Sequence, residues 1–316
     1  MVRAMTVHHA EQSIHHAPRR RAVRWRNAGG YLFLLPAVIY ITATMLYPVA
    51  YNIRMSVRDV NIRTFMSGDA PFIGFDNYRA VIESPDFRHS LGISLIFTGG
   101  SLLFQFTLGF ALALFFNQPF PGNGILRALF LLGWVLPTVV SGSVFRWMLD
   151  GDFGVINYAL SELSLIDGPR YWLVDPDFAL NGTIFANIWV GIPFNMVLLL
   201  AGMQGIPQTL YEAAAVDGAN AWHRFRSLTL PLMRPVSLSV LLLGFIYTFK
   251  VFDLIYVMTA GGPVDATTVV PLYAYQLTFE FFRFGQGAAA ATLLLLSLIG
   301  VAVAYLWWTR RDEVAA

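Results

Sequence analysis

One segment of this 316-residue chain gathers residue types suited to protein contact, not to bond making. It runs Gln204-Gly205-Ile206-Pro207-Gln208-Thr209-Leu210-Tyr211-Glu212-Ala213-Ala214-Ala215-Val216-Asp217-Gly218-Ala219-Asn220-Ala221-Trp222 and on through Phe225 to Leu230-Pro231. Pro207 and Thr209 open a helix, and the alanines propagate it. Gly218 suits the left-handed conformation that stops a helix. Asn220 is a candidate N-cap for a second short helix, which Pro231 is expected to terminate. Small side chains on one face let another protein's surface approach closely, an organisation that a bare connector does not need.

A second set of residues could hold a polyhydroxylated ligand. Trp189, Gly191 and Phe194 cluster with Asn187 and Asn195, and Gly244, Tyr247, Thr248 and Val251 form a further group. Aromatic faces with side-chain hydrogen bonders suit a sugar ring. Aromatics at helical spacing equally suit ordinary helix packing, and both readings stand at this point. Lys250 and Asp253 are three residues apart and could pair on one helix face. They could also lie at an outer gate or on a substrate path.

Several chemistries are excluded. There is no cysteine, hence no disulfide, thiolate nucleophile or thiolate metal site. Lys250 is the only lysine, and no G-x-x-x-x-G-K-[ST] loop surrounds it, so the chain has no ATP site of this kind. HExxH and GxSxG are absent. Basic residues form no long stripe, which argues against nucleic acid. His8-His9 and His15-His16 lie in a segment without apolar periodicity and read as a solvated tail, with no metal site.

The elements that must position these residues follow from composition. Hydrophobic residues make up 56% and charged ones 13%, too apolar to cover a water-facing surface. The mean hydropathy of +0.58 agrees. Six stretches reach the roughly 20 apolar residues a bilayer requires: Tyr31 to Tyr51, Leu91 to Phe116, Leu126 to Leu149, Leu180 to Met203, Val236 to Thr259 and Gly287 to Trp308. The first is too long for a cleaved signal peptide and lacks its small-residue cleavage site. The fold class is therefore an all-α polytopic membrane protein with six transmembrane helices. Pro36, Pro48, Pro137 and Pro193 are tolerable within spans, because neighbouring helices satisfy freed backbone groups. Gly287-Ala288-Ala289-Ala290-Ala291 favours close helix packing.

Six spans put both termini on one side. If that side is cytoplasmic, inside segments carry twelve arginines, including Arg19-Arg20-Arg21, against seven outside. The positive-inside rule favours this orientation, although five of the seven sit in the first outer loop. The expected organisation is a disordered tail over 1–29, the first span with its outer loop over 30–90, a core of five spans over 91–309 containing loop 204–235, and a short tail over 310–316.

Glu212-Ala213-Ala214, then Asp217-Gly218-Ala219, then Phe225, Leu230-Pro231 and Pro235 resemble the signature loop of bacterial ABC-importer permeases. Gly74-Phe75-Asp76-Asn77-Tyr78, Gly154-Val155-Ile156-Asn157, Trp189 to Pro193, and Phe252-Asp253 through Gly261-Gly262-Pro263 make the chain similar to the carbohydrate-uptake branch. The resemblance spans about residues 30 to 310. It implies a type I importer permease fold in the cell membrane, a second homologous permease, a cytoplasmic ATPase dimer that binds ATP and Mg, and an extracytoplasmic sugar-binding protein. It also implies that loop 204–235 forms coupling helices seated on the ATPase, with Glu212 meeting a basic residue and Gly218 allowing the bend. By the same resemblance to the maltose-importing member, Trp189, Gly191, Phe194, Gly244, Thr248 and Val251 match substrate-contacting positions. The polar positions of the fifth span differ here, which puts maltose itself in doubt. Polyols and glycerol phosphate esters are further substrates of such permeases. An ion-coupled secondary transporter is the rival class, but it would show internal repeats and intramembrane carboxylates. A membrane scaffold is a third reading.

Overall fold

The computed structural model describes residues 28–314, with side chains over 33–309. The expected tail 1–29 lies almost wholly outside these residues, as do its His pairs, the Arg19–Arg21 cluster and residues 315–316. The described chain is nearly all helix, with one isolated β-bridge between Arg58 and Phe72. In order, the helices are α1 (Ala28–Ile41), α2 (Tyr47–Ser56), α3 (Ile62–Ser67), α4 (Asp76–Glu83), α5 (Pro85–Phe116), α6 (Asn123–Val135), α7 (Thr138–Met148) and α8 (Val155–Glu162). They continue as α9 (Pro176–Gln204), α10 (Gln208–Val216), α11 (Ala221–Arg224), α12 (Leu230–Phe249), α13 (Asp253–Met258), α14 (Val270–Tyr275) and α15 (Phe284–Val314). Wider π turns occupy Thr42–Leu46, Phe225–Thr229 and Gln276–Glu280.

Among the described residues, five helical stretches are long and apolar enough to cross a membrane: Phe33–Ser56, Pro85–Phe116, Pro176–Gln204, Ala221–Phe249 and Phe284–Thr309. The expected third span is not one straight helix. α6 and α7 meet at 94°, and they count as a sixth span only as a bent pair. Pro137 causes the break, because it lacks an N–H and forces Leu136 into extended backbone (φ −63°, ψ 136°). The expected fifth span also changes. Its helix starts earlier, at Ala221, and ends at Phe249, well before Thr259.

Pro231 does not terminate the helix as expected. The π turn at Phe225–Thr229 hands directly into α12, whose first turn accepts Pro231, since the missing N–H falls where the ladder is already open.

The chain divides into Met1–Tyr51 and Asn52–Ala316. Residues 52–90 belong with the larger unit because buried polar groups fasten them there. Asn77 donates to the carbonyls of Ser56 (2.9 Å) and Arg58 (2.8 Å), and Gly285 N donates to Val60 O (2.9 Å). A Cβ on Gly285 would lie 2.6 Å from Arg58 O, so glycine is what lets α15 start against this strap. On the strap's surface, a hydrogen bond from Arg79 to Glu83 at 2.9 Å raises the guanidinium pKa.

The core of the larger unit is where α5, α9 and α12 pack. Phe110, Phe116, Met196, Leu199, Met203, Met233 and Val240 are buried together. A second cluster joins α14 to α15 through Val270, Tyr273, Leu277, Ala289 and Ala290. The alanine run expected to pack closely does so, with Ala288, Ala289 and Ala290 all buried.

The 150–175 connection is organised by Asn157. Its Nδ2 donates to the carbonyls of Gly151 (2.8 Å) and Arg170 (2.9 Å), while its Oδ1 accepts from Trp172 Nε1 (2.7 Å). Nearby, the Tyr171 hydroxyl donates to Asp152 at 3.0 Å, and this hydrogen bond to a carboxylate pushes the phenol pKa up.

Candidate functional site

Two places gather the residues singled out from the sequence. The first is a cavity of about 240 Å³ inside the larger unit. α9 supplies Asn187, Val190, Gly191, Phe194 and Asn195, α12 supplies Gly244, Tyr247 and Thr248, and Val251 follows it. On α9 these positions fall at i, i+3, i+4, i+7 and i+8, which is one helical face. Tyr247 and Phe194 meet edge to face at 5.3 Å.

Trp189 does not join them. It lies off that face, where its ring packs 5.5 Å from Phe145 and lies against Gly133. The indole of the cavity belongs instead to Trp134, 5.8 Å from Phe194. Trp134 escaped the sequence reading because it sits in a stretch read as continuous helix. Pro137 was the available signal, since a helix broken at membrane depth must line a cavity or bury its opened backbone in protein.

Gln105 of α5 forms another part of the wall, and it too was missed. Its Nε2 donates to Asn187 O at 2.8 Å, and its carboxamide fills the space a side chain at Gly191 would need. At Gly244, a Cβ would lie 2.7 Å from Leu102, so both glycines exist to let α5 close on the cavity. Asn195 Nδ2 donates to Gly191 O at 2.9 Å, which leaves its Oδ1 without a partner, and Asn187 Nδ2 is unpartnered as well. No charged side chain lines the cavity. The Lys250 ammonium stands 5.0 Å over the ring of Tyr247, one of the lining residues.

The expected Lys250–Asp253 ion pair does not form. The helix ends between the two, with Lys250 at the C-cap of α12 and Asp253 opening α13. No helix-breaking residue stands there. Tertiary burial makes the break, because Leu254 and Ile255 at the start of α13 are fully buried in two different clusters.

The second place is the segment 204–235. Pro207 sits at the N-cap of α10, and Gly218 ends it in the left-handed region at φ 79°. Gly218 N bonds Ala215 O (3.1 Å) and Ala219 N bonds Ala214 O (2.9 Å), closing the helix as expected. Asn220 caps α11 by accepting from His223 N at 2.8 Å. Tyr211 and Thr229 hydroxyls bond at 3.0 Å and tie α10 to the π turn. Phe225 packs edge-on to Phe110 at 6.2 Å, anchoring the segment to α5. Its outer face is unengaged. Glu212, Ala213, Asp217 and Gly218 are exposed, as are the apolar side chains of Val216 (89%) and Trp222 (65%).

Residues 105–310 match the family model described as the binding-protein-dependent transport system inner membrane component. This chain belongs to that family. Its relatives include the trehalose/maltose transport system permease protein MalF of Thermococcus litoralis, 37% identical over 88% of this chain and 92% of that protein. The sulfoquinovosyl glycerol transport system permease protein SmoG of Agrobacterium fabrum is 34% identical over 90% of this chain and 93% of its own length. Among solved structures, a bacterial ABC transporter for import of the acidic polysaccharide alginate contains a chain that superposes with a TM-score of 0.77. It is 26% identical, over 90% of this chain and 96% of the other. The bent pair, the broken end of α12 and the two-helix segment are thus parts of a type I importer permease fold. The permease is a multi-pass transport subunit of an inner membrane.

Proposed function

We propose that this permease passes a neutral sugar through the cavity between α5, α9 and α12, driven by a separate ATPase dimer docked on segment 204–235. The observation that carries the sugar reading is the cavity wall. Three aromatic faces (Trp134, Phe194 and Tyr247) stand beside the amides of Asn187 and Asn195, with no charged lining residue. Stacking surfaces with neutral hydrogen bonders suit hydroxylated rings and offer nothing to balance an anion. The relatives named for trehalose/maltose and for sulfoquinovosyl glycerol support a carbohydrate substrate.

For coupling, the supporting observation is the exposed outer face of α10 and α11. Close-set alanines, Val216 and Trp222 need cover, and unpaired Glu212 suits a basic residue on the covering protein. ATP and Mg belong to that partner, and this chain holds no cofactor. A second homologous permease completes the pathway, and a sugar-binding protein delivers from the opposite side; the similar alginate transporter was solved in complex with an alginate-bound periplasmic protein. Both termini and segment 204–235 face the cytoplasm. ATP closure of the partner moves the docked segment and switches the permease pair between inward- and outward-facing states.

The test is reconstitution of the full assembly in proteoliposomes. ATP-dependent uptake of a neutral sugar that requires the binding protein is the expected result. Uptake by this chain alone, driven by an ion gradient, would overturn the assignment in favour of a secondary transporter.

A further inference from the structure

Gln105 is held as few cavity side chains are. It is 3% exposed, its Nε2 is committed to the Asn187 carbonyl, and its carboxamide lies flat against the backbone at Gly191, where a methyl group would overlap it. That fixes which end of the amide is which. Its Oε1 accepts no hydrogen bond within the chain, although the side chain is part of the cavity wall. Two neighbours repeat the pattern. Asn195 is oriented by its bond to Gly191 O and keeps a free Oδ1, and Asn187 keeps a free Nδ2. Buried polar atoms left unpaired are unfavourable, and native proteins pair them with water or ligand.

We propose that Gln105 is a specificity-determining residue, whose Oε1 accepts a hydrogen bond from a substrate hydroxyl in a pose held by Gly191. The inference rests on the cavity being the sugar site. The wall then offers Gln105 Oε1 as an acceptor, while Asn195 Oδ1 and Asn187 Nδ2 are themselves buried. A ring edge with a free hydroxyl satisfies that acceptor by donating once. A carboxylate or phosphate at that edge sets its lone pairs against the Gln105 carbonyl oxygen and is rejected. The edge that enters this wall is therefore neutral and unsubstituted, and a deoxy or O-methyl group there leaves a buried acceptor bare.

The experiment uses proteoliposomes of the whole assembly with ATP. Uptake is measured for radiolabelled trehalose, maltose and a panel of other neutral mono- and disaccharides, and then for monodeoxy analogues of whichever sugar is carried. We expect one analogue to enter wild type with KM raised about tenfold, the loss of one hydrogen bond. Gln105→Leu should raise KM for the parent sugar by a similar factor and treat that analogue and the parent within about twofold of each other. Gly191→Ala should reproduce the effect, and adding it to Gln105→Leu should change little further. Uptake of no neutral sugar at all removes the sugar reading and this inference together. Uptake of a sugar with every analogue within twofold of the parent in wild type overturns the Gln105 role alone, even where the Gln105 variant does not assemble. So does a Gln105→Leu variant that assembles and keeps the wild-type preference.

Discussion

The segment between α9 and α12 and the cavity between α5, α9 and α12 are made differently. The segment is contiguous, runs over the surface, and each of its turns is set by a neighbour within a few residues. Gly218 is open enough that an added Cβ would meet nothing within 4 Å. The cavity draws single residues from several helices, and its glycines are glycines because another helix presses on them. In the segment, sequence adjacency creates the shape, and its outer side chains are exposed. In the cavity, convergence creates the shape and leaves polar atoms of Asn187 and Asn195 unpartnered. The two regions should therefore fail differently when altered.

The largest effect should come from Gly218→Val. A β-branched residue at φ 79° costs about 1–3 kcal/mol in backbone strain and puts bulk on a face of small residues. The ATPase should co-purify at a small fraction of the wild-type yield while the permease still inserts. Undiminished ATPase and full hydrolysis stimulated by loaded binding protein would mean that the segment does not couple.

Next comes a contrast between two tryptophans. Trp134→Ala removes a cavity face and should raise the uptake KM about tenfold, the scale of one lost stacking contact. Trp189→Ala removes packing against Phe145 and should leave KM within about twofold while lowering the thermal midpoint by about 4 °C or more. The opposite pattern would put Trp189 back into the substrate site.

Glu212→Ala should act more gently than Gly218→Val. Loss of one solvent-edge charge contact is worth about 1 kcal/mol, or about fivefold in ATPase affinity. An effect equal to that of Gly218→Val would make charge, not backbone shape, the coupling determinant. The smallest expected effect concerns Lys250 and Asp253. A double-mutant cycle of Lys250→Met and Asp253→Asn, read by thermal unfolding, should give an interaction energy under about 0.5 kcal/mol, as for residues that share no contact. A coupling above about 1 kcal/mol would mean that the two pair after all.

These contrasts track what could be read in the residues. The caps at Pro207 and Asn220 and the turn at Gly218 were legible, because capping is decided by side chains one to three positions away. Eight of the nine cavity candidates line one cavity because helical period places 187, 191, 194 and 195 together on α9, and 244, 247 and 248 on α12 with 251 just beyond it. Trp189, two residues from Gly191, fell on the wrong side of the same helix. Pro231 misled in another way. A proline stops a helix only when an N–H is needed at its position, and the π turn before α12 removed that need.

The sequence by itself determined that the chain is a helical membrane protein, where its apolar stretches lie, and how the exposed two-helix segment is capped, since hydropathy and capping are local. Tertiary structure alone decided that Trp134, beside the break at Pro137, faces the cavity, that the helix breaks between Lys250 and Asp253, and that Gly191 clamps Gln105. Each of these sets residues from distant parts of the chain against one another. Which side chain must shrink, turn or go unpaired is fixed only when the helices have packed.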